Sequence, residues 1–135
     1  MKLDHVCIVT SDSQSLIAWY KDKLGFEFIQ EWTVDAMPGL NLTYIGKDDF
    51  KIEIVGDMPV TDEEKLDPLT SITPGYNHFA VSVEDIEATL SDLEQKGVII
   101  VAPETELPQA GIKAAMILDL DQNLIEIIEK IPNQK

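Results

Sequence analysis

Leu124-Ile125-Glu126-Ile127-Ile128 sets a carboxylate inside an apolar, strand-forming run. Burying an unpaired carboxylate is expensive enough to force its protonation, so such a residue needs a reason to be there. The same Ile-Glu-Ile core stands in Lys51-Ile52-Glu53-Ile54-Val55, and positions 53 and 126 lie 73 apart. The two histidines of the chain, His5 and His78, are also 73 apart. One offset therefore carries His onto His and Glu onto Glu. This pattern reads as a doubled unit, each copy lending one imidazole and one carboxylate to a shared divalent metal site.

The rest of the chain supports the doubling. Leu3 to Val9 reads as a strand, with Leu3, His5, Cys7 and Val9 on one face. Asp12 or Ser13 caps a helix that carries Leu16, Trp19, Tyr20 and Leu24 at helical spacing and stops at Gly25. Phe26 to Val34 is a strand, Pro38-Gly39 a turn, and Leu40–Ile45 with Phe50–Val55 a hairpin. The same βαβββ order follows from Asn77: a strand to Val83, then a helix from Asp85 with Ile86, Leu90 and Leu93 inward, stopped by Gly97. A strand Val98–Val101, a polar loop Pro103–Gly111 and a hairpin of Ile112–Leu118 with Asn123–Ile128 complete it. Asp48 and Asp121 fall in matching hairpin turns at the 73 offset. Gly25 and Gly97 are 72 apart, which implies one residue gained or lost nearby and recovered before the hairpins. The expected organisation is one domain over 1–135, made of a module 1–57, a linker 58–75 rich in Pro and acids, and a module 76–131. A helical turn is expected near Asp62 to Leu66.

Composition narrows the function. The 135 residues, 44% hydrophobic, suit one compact domain or two small halves. Net charge is −15, from 25 acids against 10 basic residues, all of them lysine. That excludes a nucleic-acid binder, which needs cations to displace counterions, and it leaves no bidentate arginine clamp for phosphate. No apolar run approaches the ~20 residues of a membrane helix. The start, Met1-Lys2-Leu3-Asp4-His5, lacks the apolar core of a signal peptide, and the lone Cys7 fits a reducing compartment. The expected location is the cytoplasm.

Imidazole and carboxylate suit a borderline or hard divalent ion: nickel, zinc, cobalt, manganese or iron(II). Taken singly, each donor has a structural reading. A strand histidine can be a satisfied core residue, and either glutamate can lie on a solvated strand face. Cys7 reads as a small buried hydrophobe, Trp19-Tyr20 as helix core, and Met37-Pro38-Gly39 as a plain turn. The joint offset of both histidines and both glutamates is what argues for a site.

At these residues the chain resembles the vicinal oxygen chelate superfamily, the group of glyoxalases, bleomycin-resistance proteins and dioxygenases. The resemblance rests on Asp4-His5-Val6, on Trp19-Tyr20-Lys21-Asp22-Lys23-Leu24-Gly25-Phe26, and on Asn77-His78-Phe79-Ala80-Val81. It rests also on Asp119-Leu120-Asp121-Gln122-Asn123-Leu124-Ile125-Glu126, where Leu120 and Gln122 replace a family Pro and Gly. It implies an α+β fold of two βαβββ modules whose curled mixed sheets form a metal-binding cup. Within the superfamily the order His, Glu, His, Glu is similar to glyoxalase I, which implies metal ligands His5, Glu53, His78 and Glu126 and one divalent ion (Ni, Zn, Co or Mn). It further implies a lyase or isomerase that moves a proton through a metal-stabilised enediolate on a small carbonyl compound or its thiol adduct. Glu126 would be the base and Glu53 its symmetry-related alternative, in a homodimer. The related implied activities are a methylmalonyl-CoA-type epimerase and a non-catalytic, ligand-sequestering protein of the bleomycin-resistance kind.

Overall fold

The computed structural model describes residues 1–57 and 74–132. Most of the expected linker 58–75, with the helical turn near Asp62 to Leu66, lies outside them. The chain divides into two compact units, Met1–Glu64 and Lys65–Lys135.

The first unit runs β1 (Val6–Thr10), α1 (Ser13–Leu24), β2 (Glu27–Thr33), β3 (Asn41–Lys47) and β4 (Phe50–Gly56). Its sheet has the order β1-β4-β3-β2, with β1 parallel to β4 and the other pairs antiparallel. Asp12 caps α1 by accepting the Ser15 N–H at 3.1 Å. Gly25 ends the helix in the left-handed region at φ 74°, where a side chain would be strained. Leu16 and Tyr20 of α1 are fully buried with Ile52 and Ile54 of β4. Each such aliphatic side chain removed from water contributes roughly 1.5–3 kcal/mol. Trp19 and Leu24 are half-buried at the edge of this core.

The second unit repeats the plan: β5 (His78–Ser82), α2 (Ile86–Gln95), β6 (Ile99–Leu107), β7 (Ile112–Leu118) and β8 (Leu124–Lys130). The sheet order is β5-β8-β7-β6, again with the first pair parallel. Asp85 caps α2 through the Ala88 N–H at 3.0 Å, and Ile86, Leu90 and Leu93 are buried with Ile125 and Ile127. The architecture is α+β: two four-stranded mixed sheets with two helices, the two βαβββ modules that the doubled pattern implies.

The two units also share a way of anchoring the helix start. In the first, the Asp57 carboxylate accepts the Ser13 N–H at 2.9 Å, the Ser13 hydroxyl at 2.6 Å and the Asn41 amide at 2.7 Å. These bonds, the Ser13 hydroxyl foremost, hold Asp57 below the usual carboxylate range. In the second, Glu129 accepts the Ile86 N–H at 2.9 Å. Gly56 stands where Glu129 stands in the repeat, and a Cβ there would come within 2.5 Å of the Ser13 Cβ.

Four expectations need correction. β1 begins at Val6, and Leu3 is 99% exposed. Cys7 is exposed rather than buried, because its face of the sheet is the one the helix leaves open. The stretch from Pro103 to Leu107 continues β6 instead of forming a loop. β6 is an edge strand with register shifts between Ile100 and Ala102 and between Ala102 and Thr105, and an edge bulge tolerates a residue without an N–H. The last correction concerns the missing residue, which is recovered inside the second hairpin turn. Glu53 faces Tyr44 and Glu126 faces Met116, so β3 and β7 are 72 apart while β4 and β8 are 73 apart.

Candidate metal centre

Each unit brings its own histidine to its own glutamate. His5 lies just ahead of β1, and β1 runs parallel to β4 with Cys7 beside Glu53. His5 is thus one strand repeat away from Glu53 on the same face, and its Nε2 lies 3.7 Å from Glu53 Oε1. In the second unit Ala80 is beside Glu126, and His78 Nε2 again lies 3.7 Å from Glu126 Oε1. The exposures match too: 28% and 17% for the first pair, 30% and 20% for the second. Neither glutamate is sunk in the helix-facing core with its isoleucine neighbours, and neither is fully solvated. Both stand on the open face of the sheet. The two pairs belong to separate units, and within either unit, among the described residues, no third His, Cys, Asp or Glu completes a cluster able to hold an ion.

The other ring nitrogen of each histidine is occupied. His5 Nδ1 lies 2.7 Å from Asp4 Oδ2, and His78 Nδ1 lies 2.6 Å from Asn77 Oδ1. The sequence motifs contain both partners, and positions 4 and 77 are themselves 73 apart, so the signal was a polar residue immediately before each histidine. The Asp4 carboxyl is held below its ordinary value by the His5 hydrogen bond first and by Lys51 second, whose Nζ is 3.2 Å away. Lys51 also lies 4.4 Å over the Tyr44 ring, and Tyr44 meets His5 edge-on at 5.3 Å. Trp32 stacks at a tilt on Tyr44 at 4.7 Å. Cys7, beside Glu53, has its thiol pushed up to about 11, by desolvation first and by the hydrogen bond and charge of Glu53 next.

The donor chemistry fits a divalent ion. Two donors each about 2.1 Å from an ion sit roughly 3.0–3.4 Å apart at ordinary coordination angles, so a 3.7 Å pair needs to give only a few tenths of an ångström. The residues present, an imidazole and a carboxylate per unit with the far nitrogen tied back, are the types that hold nickel, zinc, cobalt or manganese.

The turn before Glu126 is built by the motif that precedes it. The buried Asp119 carboxylate accepts the Asp121 N–H, the Asn123 N–H and the Asn123 side-chain amide, each at 2.9 Å. Gln122, in the place of the family glycine, takes φ 67°. The Asp119 N–H donates to the Asn123 carbonyl at 2.9 Å, so three residues lie between these ends against the two, Asp48-Asp49, of the first hairpin, and the extra one puts Glu126 opposite Met116.

The model of the glyoxalase/bleomycin resistance protein/dioxygenase superfamily matches residues 2–127. The chain belongs to this superfamily. It is 27% identical over 128 residues to YwkD, an uncharacterised protein of Bacillus subtilis (strain 168), covering 95% of this chain and 96% of that one. It is 24% identical over 114 residues to the mitochondrial methylmalonyl-CoA epimerase of Bos taurus, covering 82% of this chain and 62% of the epimerase. Among solved structures, the glyoxalase family protein from Enterococcus faecalis superposes with a TM-score of 0.76 at 25% identity, covering 95% of this chain and 97% of that one. Among the described residues no helix is long and apolar enough to cross a membrane.

Proposed function

We propose that this superfamily member is a metal-dependent lyase or isomerase of the glyoxalase I type, acting on a small carbonyl compound or its thiol adduct. The observation that carries the reading is the repeated pair: the same imidazole nitrogen meets the same carboxylate oxygen at 3.7 Å in both units. His5, Glu53, His78 and Glu126 together would hold one divalent ion, which when bound supplies a Lewis acid for the substrate's carbonyl oxygen. Glu126 takes the proton from the carbon next to that carbonyl and returns it to the neighbouring carbon. Glu53 is its counterpart in the other unit and keeps a ligand's role. The half-buried setting of both carboxylates limits water around the proton in transit. The assembly proposed is a cytoplasmic homodimer.

The test is a hemithioacetal isomerisation assay on metal-loaded protein, with Glu126→Gln as the critical variant. Turnover lost with the circular dichroism spectrum retained supports the assignment, and unchanged turnover removes Glu126 as the base. A second reading is favoured by the likeness to the bovine epimerase. In that case a proton is removed from and returned to the α-carbon of an acyl thioester, with Glu126 and Glu53 as the candidate acid–base groups. Deuterium exchange at that carbon with the thioester intact distinguishes it. If no ion is retained and cationic compounds raise the melting temperature, the ligand-sequestering alternative takes the place of both.

A further inference from the structure

The geometry points to Asp4 and Asn77 as positioning residues that hold each histidine as the Nδ1–H tautomer, so that each Nε2 presents a lone pair toward its glutamate. The inference deepens the proposed metal-dependent reading and rests on it for the purpose of the tautomer, but the tautomer itself exists without any ion.

An ionised carboxylate only accepts hydrogen bonds, so at 2.7 Å His5 Nδ1 donates to Asp4 Oδ2. The Asn77 oxygen is likewise an acceptor, and His78 Nδ1 donates to it at 2.6 Å. A neutral imidazole carries one proton, so both Nε2 atoms are then acceptors. Each faces a carboxylate oxygen at 3.7 Å, beyond hydrogen-bond length. Two acceptors held this close with no proton between them are an unfavourable arrangement, relieved by a cation. The opposite tautomer would give Nε2 a proton and let each pair close into an ordinary His–Glu hydrogen bond. The residue before each histidine thus keeps the pair open.

The two devices are unequal. Asp4 shares its Oδ2 with Lys51, 3.2 Å away, and Lys51 is steadied on the Tyr44 ring that also meets His5. In the repeat, Leu124 stands in the place of Lys51 and Met116 faces Glu126, so the second unit has no counterpart of that lysine at this position. Both Asp4 and Asn77 are exposed, and exposed pairs add little to folding stability, so their truncation should leave the fold intact.

The experiment is long-range proton–nitrogen correlation NMR of the imidazoles in the metal-free, full-length protein at about pH 8, above the ordinary histidine range. The expected result is Nδ1 protonated and Nε2 bare in both histidines. Asp4→Ala shifts His5 toward the Nε2–H form and leaves His78 alone, while Asn77→Ala does the reverse. Asp4→Asn and Asn77→Asp keep an acceptor oxygen and restore the original form. Zinc affinity, read by competition with a chelating dye, falls about 10- to 100-fold in each alanine variant and recovers in each conservative one. Nε2–H imidazoles in the unaltered protein, or an Asp4→Ala spectrum with His5 unchanged, overturn the inference. Tautomers that respond as stated in a protein that holds no zinc would sink the metal reading and leave the positioning intact. Zinc held normally with tautomers indifferent to Asp4 and Asn77 would do the opposite.

Discussion

The two units share one backbone plan and the same His–Glu separation, yet the open faces around those pairs differ. In the first unit Glu53 is opposite Tyr44, with Trp32, Lys51 and Asp4 close by, a face of aromatic and charged groups. In the second, Glu126 is opposite Met116 and flanked along β8 by Leu124 and Ile128. Their cores follow one recipe, with Ile52 and Ile54 in one unit and Ile125 and Ile127 in the other fully buried. The parallel strand pair fixes where the donors stand, and the neighbouring strands are free to set what surrounds them. In the proposed reading the glutamate among aliphatic groups, Glu126, is the base, and the one beside the aromatic and cationic cluster, Glu53, is a permanent ligand.

The sharpest way to break this comparison is to exchange the two glutamates for glutamine. Glu126→Gln should lower turnover by about 100- to 10,000-fold with ion binding weakened less, whereas Glu53→Gln should act mainly through ion affinity. Steady-state kinetics at saturating metal read the difference, and equal losses in turnover would mean that the two faces are functionally alike. Next in size are the cores. Ile54→Ala and Ile127→Ala should each cost about 2–5 kcal/mol in denaturant unfolding, since both side chains are fully buried. A much smaller loss in one unit would show that it relaxes around the cavity.

The helix anchors give a smaller contrast. Gly56→Ala forces a Cβ onto Ser13 and should cost about 1–3 kcal/mol. The matching position in the second unit already carries Glu129 and its bond to Ile86. Smallest is the pH effect of Asp57. Its lowered folded value means that its stabilisation is present above the ordinary carboxylate pKa and is lost as pH falls through the folded one. Asp57→Asn should therefore lower the melting temperature at neutral pH by a degree or two and flatten its decline below about pH 4. An unchanged pH profile would show that the Ser13 and Asn41 bonds contribute nothing net.

Much of this plan is legible in the sequence because its signals are local. Asp12 and Asp85 before the helices, Gly25 after the first, and the apolar run of Ile112–Leu118 each mark an element by short-range chemistry. The offset of 73 adds long-range information, since it ties His5 to Glu53 by the same logic as His78 to Glu126. What escapes is set by tertiary position. Pro103 reads as a loop until β6 is known to be a bulged edge strand. Cys7 reads as buried until α1 is known to cover the other face of its sheet. The hairpin registers differ by one because the turn closed by Asp119 and Asn123 holds one residue more than Asp48-Asp49, a matter of side-chain geometry that spacing does not encode. Asp4 and Asn77 lie in plain view, but a polar residue before a histidine acquires meaning only once its oxygen is seen on Nδ1.

The central proposal is that both His–Glu pairs serve one ion, and metal stoichiometry tests it most directly. Protein stripped with chelator, reloaded with nickel or zinc and desalted should retain about one ion per chain by elemental analysis. That ion should be lost alike in His5→Ala and His78→Ala. Two ions per chain lost independently, or an ion that survives one of the two substitutions, would contradict the account.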